Sequence, residues 1–259
     1  MNALAVLGAL LIGISLGLLG SGGSILTVPV LVYLLDQPEK IAIAGSLAIV
    51  GAIALAGAIP WALSKHVHWR SVLWFGVPGI LGTVGGAAMS AFVTGEVQLI
   101  VFAGVMLIAS WFMWGQNKVP DSVLDPVLCS DPFIRSRTKL AADGIAVGAL
   151  TGFVGVGGGF MIVPALVLLG RLDMHRAVGT SLVIIALKSF AGFAQYLVVL
   201  DTLGLAVDWQ VIGVFTAIGI AGSVVGNRIG RRVPQATLKR GFGALLIPMA
   251  LYILWRSWP

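Results

Sequence analysis

Two stretches of the sequence crowd glycine and serine between long apolar runs: "GLLGSGGSILTVP" at 17–29 and "GFVGVGGGFMIVP" at 152–164. Glycine inside a helix costs stability, so each cluster reads as a deliberate break. Where a helix restarts after such a break, its free N–H groups and the positive end of its dipole form an anion site. Glycine there lets the backbone approach a ligand and take positive φ. The chemistry these residues suggest is recognition of a small anion, by Gly20, Ser21, Gly22, Gly23 and Ser24 in the first stretch and by Gly155, Gly157, Gly158 and Gly159 in the second.

Lys188 is the second chemical signal. It lies deep inside the apolar segment 177–200, about 16 Å along a helix at 1.5 Å per residue. A lysine at the centre of a bilayer is expensive and by default faces a cavity or a partner; the alternative is a stem that carries the ammonium to an interface. A cation and helix-start N–H groups together suit an anion. Ser46, Thr180, Ser181 and Gln195 are candidate neutral donors, although Ser and Thr in such helices also bond their own backbone. No Asp or Glu falls mid-segment, so no carboxylate proton relay is visible. The three histidines, His66, His68 and His175, fall in loops. No His/Cys cluster suggests a metal, no nucleophile–base pair suggests an enzyme, and no cofactor is expected.

The elements that must position these residues belong in a bilayer. Of the 259 residues 58% are hydrophobic and 10% charged, and mean hydropathy is +1.03. A soluble surface needs about 25% charged residues. The net charge of +6 reads as cytoplasmic loop charge and not as nucleic-acid binding. A lone cysteine, Cys129, excludes an intrachain disulfide, and the apolar N-terminus reads as mature structure and not as a targeting segment. Apolar segments fall at 3–20, 24–35, 41–64, 71–93, 97–115, 141–156, 159–170, 177–200, 209–226 and 241–255. The stretch 116–140, with Pro120, Pro126, Pro132 and the basic Arg135, Arg137 and Lys139, reads as a linker.

The two halves repeat. At an offset of 135, Gly17, Gly20, Gly22, Gly23, Val28, Pro29, Leu31, Val32 and Leu34 all meet identical residues. "SLAIV" at Ser46 meets "SLVII" at Ser181; after a five-residue insertion, "VHWR" at Val67 meets "VDWQ" at Val207 and "GILGTVGG" at Gly79 meets "GIAGSVVG" at Gly219. Gly82/Gly86 and Gly222/Gly226 are small-xxx-small pairs expected to pack helices. Loop charges reverse between the halves: 64–70 is basic while its counterpart holds Asp201 and Asp208, and 36–40 is mildly acidic while 171–176 is basic. The positive-inside rule then sets the halves upside down relative to each other. The expected fold is an all-α polytopic membrane protein, an inverted repeat in which each half is a Gly-tipped helical hairpin plus three transmembrane helices. Residues 1–115 form the first repeat, 116–140 a cytoplasmic linker and 141–259 the second repeat. The short arms 24–35 and 159–170 are expected to bring both tips to the middle of the bilayer.

"GSGGSILTVP" and "GVGGGFMIVP", each followed by a Ser-Leu element ("AGSLAIV", "VGTSLVII"), resemble the duplicated TauE/SafE family of sulfite exporters over almost the whole chain. Gly155, Gly157, Gly158, Gly159, Val163 and Pro164 match the family's G-x-G-G-G-x-x-x-V-P; the first copy carries Ser24 in place of the third glycine. The resemblance implies a multi-pass protein of the bacterial cytoplasmic (inner) membrane that exports small sulfur-containing anions. The partners expected are a small anion and the lipid bilayer; a homodimer is compatible with the reading, and nucleic acid is not a partner. The rival readings are a channel or coupled transporter for another small solute, and a membrane subunit that scaffolds a partner enzyme.

Overall fold

Apolar runs broken by Gly, Pro and loop charges fold as ten helical segments among the described residues. The structure is a computed structural model and describes residues 3–20, 22–115, 137–155, 159–168, 172–230, 232–233, 237, 244 and 247–255. The first half contains α1 (Ala3–Leu19), α2 (Gly22–Leu34), α3 (Glu39–Leu63), α4 (Trp69–Phe92) and α5 (Gly95–Gly115). The second contains α6 (Arg137–Val154), α7 (Gly159–Leu168), α8 (Met174–Thr202), α9 (Trp209–Gly230) and α10 (247–255). No strand occurs among the described residues. Among the described residues four helices, α3, α4, α8 and α9, are long and apolar enough to cross a membrane. The positions expected from the sequence are recovered within a few residues, and α6 reaches back to Arg137, inside the expected linker. The rest of that linker, 116–136, lies outside the described residues.

Helix ends follow local chemistry. Asp173 caps α8 by accepting the Arg176 N–H (2.9 Å). Asp208 caps α9 by accepting from Gln210 and Val211 (3.0 Å each). His68, the residue aligned with Asp208, caps α4: its Nδ1 accepts the Ser71 N–H at 3.2 Å. Such caps satisfy donors that a helix start leaves open. His68 is therefore a structural cap and not merely a loop residue.

α3 and α8 form the centre. Residues 42–51 of α3 are buried without a break. The two helices run antiparallel, because Gly51 packs on Ser189 and Phe190, Gly192 on Leu47, and Gly179 on Trp61. Around this pair the halves exchange helices. α1 lies parallel to α9: a Cβ at Gly13 would strike Gly219 O, and one at Gly17 would strike Ser223 O. α6 lies against α4 in the same way, with Gly148 on Gly79 O and Gly152 on Thr83 O. Each contact is the partner of the other at the repeat offsets. Gly82 and Gly86 abut Ile145 and Ala149, while Gly222 and Gly226 abut Leu10 and Ile14. These glycines are backbone-to-backbone packing positions, as their spacing predicts.

The outer surface is apolar. Leu55, Ile59 and Leu63 on α3, Leu73, Val77 and Leu81 on α4, and Trp209, Val224 and Val225 on α9 are all exposed. A water-soluble chain does not leave so much contiguous apolar area open; here it is the face that lipid covers.

Candidate functional site

Both glycine breaks form the same elbow. α1 ends where Gly20 takes φ +70° and its N–H returns to Leu16 O (2.8 Å). α6 ends where Gly155 takes φ +73° and its N–H returns to Thr151 O (2.9 Å). Side chains avoid this left-handed conformation, so glycine is required at both helix ends. α2 restarts at Gly22 and α7 at Gly159. Ser21, Gly157 and Gly158 lie outside the described residues. Gly23 serves packing: a Cβ there would strike Ile12 O on α1. Ser24 is buried.

Each elbow is held by the other half. The Ser181 hydroxyl donates to Gly20 O (3.1 Å) or to Val178 O within α8 (2.8 Å). The Ser46 hydroxyl does the same with Gly155 O (2.8 Å) and Ile43 O (2.8 Å). Their protons are directed to backbone carbonyls. Thr180 accepts the His68 N–H (2.9 Å), tying α8 to the start of α4. Gln195 is half-buried on α8.

The elbows do not meet, which corrects the expectation that both tips reach one point at the midplane. Gly20 touches Val178 and Ser181, whereas Gly155 faces Tyr196 Oη. Fifteen residues of α8 separate Ser181 from Tyr196, about 22 Å at helical rise. The hairpins run past the midpoint of α8 toward its opposite ends.

Lys188 lies between the elbows, at the middle of α8. It is completely buried. Its Nζ has Gly144 O at 3.4 Å and the centroid of the Phe75 ring at 4.7 Å. Among the described residues no carboxylate pairs with it. It does not snorkel: the ammonium stays inside the α4–α6–α8 contact.

Four residues that sequence reasoning passed over build polar networks beside the elbows. Gln98 Nε2 donates to Tyr196 Oη (2.9 Å) and to Phe153 O, and Tyr196 Oη lies 3.0 Å from the same carbonyl. Near the other elbow Trp61 Nε1 donates to Asn227 Oδ1 (3.0 Å), and Asn227 Nδ2 donates to Gly57 O (3.1 Å). Two signals could have found them. Gln98 and Asn227 are amides in or beside apolar segments, and Trp61 and Tyr196 align at the repeat offset of 135.

The sequence matches the sulfite exporter TauE/SafE family over residues 5–253. The chain belongs to this family. A TauE/SafE protein is a membrane transporter, in keeping with the apolar helices and the lipid-facing exterior. Several curated relatives are similar along nearly their whole length. A probable membrane transporter protein of Xylella fastidiosa (strain 9a5c) is 35% identical over 256 residues, covering 96% of this chain and 93% of its own. One from Haemophilus influenzae is 29% identical, with 96% of each chain covered. One from Methanocaldococcus jannaschii is 25% identical, with 95% of this chain and 94% of its own covered. No solved structure matches this TauE/SafE protein.

Proposed function

We propose that this transporter exports small anions across the bacterial inner membrane, namely sulfite or a related sulfur-containing anion. The observation that carries the reading is the sign of the interior charge. Among the described residues the one completely buried ionic side chain is a cation, Lys188; Asp143 on α6 is half-buried, with its Oδ2 inside the protein. A low-dielectric interior with a single fixed positive charge lowers the cost of an anion and raises that of a cation. Export needs no coupling ion: expelling one negative charge from a negative-inside cell gains about 2.3 kcal/mol per 100 mV.

The antiparallel α3/α8 pair supports an inverted repeat. A two-fold relation between equivalent antiparallel helices has its axis perpendicular to them, and for spanning helices that axis lies in the membrane plane. In this reading residues 1–115 and 141–259 are the inverted repeats, each a hairpin plus three spans. The 116–140 linker and the loops at 64–70 and 171–176 are cytoplasmic, and a homodimer is compatible with the open apolar face. Of the residues read from the sequence, Lys188 belongs to the anion path. Ser46, Ser181 and the elbow glycines frame it.

Purified protein reconstituted into proteoliposomes should move sulfite and related anions from a panel, and should not move sodium or neutral solutes. Flux of cations only would favour the rival transporter reading. Absence of any flux from folded protein would leave a scaffold.

A further inference from the structure

The duplication supplies an internal control for Lys188. At the repeat offset its counterpart is Ile53, and the two side chains occupy equivalent slots. Ile53 lies over Gly219 of α9, and Lys188 lies over Gly79 of α4; a Cβ added to either glycine would run into the side chain above it. Phe75 beside Lys188 aligns with Phe215, which is completely buried in the other half. One slot is filled by hydrocarbon and the other by an ammonium.

The charged slot also has its own backbone. α4 passes through a π-helical turn at Val72–Gly76, which contains Phe75. The aligned stretch of α9, residues 212–216, is ordinary α-helix. π-turns are rare and recur at functional sites. This one carries the ring that faces the ammonium. An ammonium has three donors. Here it has one carbonyl at 3.4 Å and one ring face at 4.7 Å, and no carboxylate among the described residues. Packing alone would be served by isoleucine, as the twin slot demonstrates. A buried charge so thinly matched is costly unless something else pairs with it.

We infer that the space around the Lys188 ammonium, between α4, α6 and α8, is the anion-binding site of the transporter, and that Phe75 and Gly79 position the ammonium there. The inference rests on the reading of the protein as an anion transporter. The ligand class is a small oxyanion such as sulfite, which accepts from the two remaining N–H donors. Phe75 holds the cation by its ring face and competes weakly with an incoming anion. Gly79 leaves room for the end of the side chain. Lys188 has no exposed surface, so the described conformation is closed around the site. Access requires α4 or α6 to move against α8.

The test uses the full chain purified in detergent, with sulfite and sulfate as probes in calorimetric titration, and the same variants in proteoliposomes. Lys188→Ile places in this slot the residue its twin already folds around, so folded protein is expected. Its affinity for sulfite should fall about tenfold or more, the scale of a charge-assisted hydrogen bond. Gly79→Ala should weaken sulfite binding, whereas Gly219→Ala, which crowds the apolar twin, should leave the affinity of the folded protein unchanged. Asp143→Asn, which neutralises the half-buried carboxylate next to Gly144 on α6, should not reproduce the loss; if it does, that carboxylate and not an anion balances the lysine, and the proposal falls. Wild-type protein that binds neither probe, or Lys188→Ile protein that binds sulfite as wild type does, overturns the site. The two readings separate cleanly. If wild-type vesicles move anions and Lys188→Ile vesicles move them equally, the site fails and the function stands. If wild-type vesicles move no anion, the function fails.

Discussion

The two halves of the molecule share their elbows and glycine contacts and are unlike in their buried chemistry. Both have a left-handed glycine elbow, a serine from the opposite half directed at the elbow carbonyl, and a first helix packed glycine-to-backbone on the other half's fourth helix. They differ in what they bury at aligned positions. Lys188 replaces Ile53, Tyr196 replaces Trp61, and a π-turn replaces regular helix around Phe75. Duplication repeats whatever the fold needs, because each half must satisfy the same packing against its twin. What is not repeated is not required by that packing. The asymmetric positions are therefore the places to look for function, and the symmetric ones are the places to look for stability.

The largest expected effect concerns topology. In a Cys129-free background, a cysteine at Asp201 should react fully with a membrane-impermeant reagent in intact cells, and one at Arg232 should not react. Equal labelling at both positions would end the inverted arrangement. Next in size is the glycine packing. Gly13→Val and Gly148→Val insert bulk against Gly219 O and Gly79 O. Backbone cannot retreat as a side chain can, so each should cost about 3 kcal/mol or more and abolish monodisperse protein in size-exclusion chromatography. A large difference between these twins would show that the halves are not energetically equivalent.

A smaller effect should sharpen the asymmetry. Asn227→Ala leaves Trp61 Nε1 and Gly57 O without their amide partner, at a cost of about 1–3 kcal/mol, read as a lower thermal midpoint in detergent. Smallest are the elbow serines. Ser46→Ala and Ser181→Ala each remove one hydroxyl that also has a carbonyl within its own helix. Each should cost about 0.6 kcal/mol, the typical worth of a hydrogen bond between membrane helices. The two midpoints should shift together; a shift confined to one would mark that elbow as the more strained.

Much of this was written in the sequence. Apolar length and the scarcity of charge determined a helical membrane protein. The offset of 135 determined the duplication, and the paired Gly-rich motifs determined where the helices break. The small-xxx-small pairs announced their packing role, since only a residue without a side chain lets two backbones touch. Tertiary structure decided the rest. The sequence placed Lys188 at mid-depth, but only the exchange of helices between halves set Phe75, Gly79 and Gly144 around it, from segments as far as 113 residues away in the chain. Arm length suggested that the glycine tips meet. Their separation along α8 follows instead from how far each hairpin slides past its neighbours, which depends on side-chain packing across helices that no single segment encodes. Ser46 and Ser181 read equally well as ligand donors or backbone donors, because a hydroxyl's partner is whichever acceptor the fold brings within 3 Å. Here that acceptor is the other half's elbow.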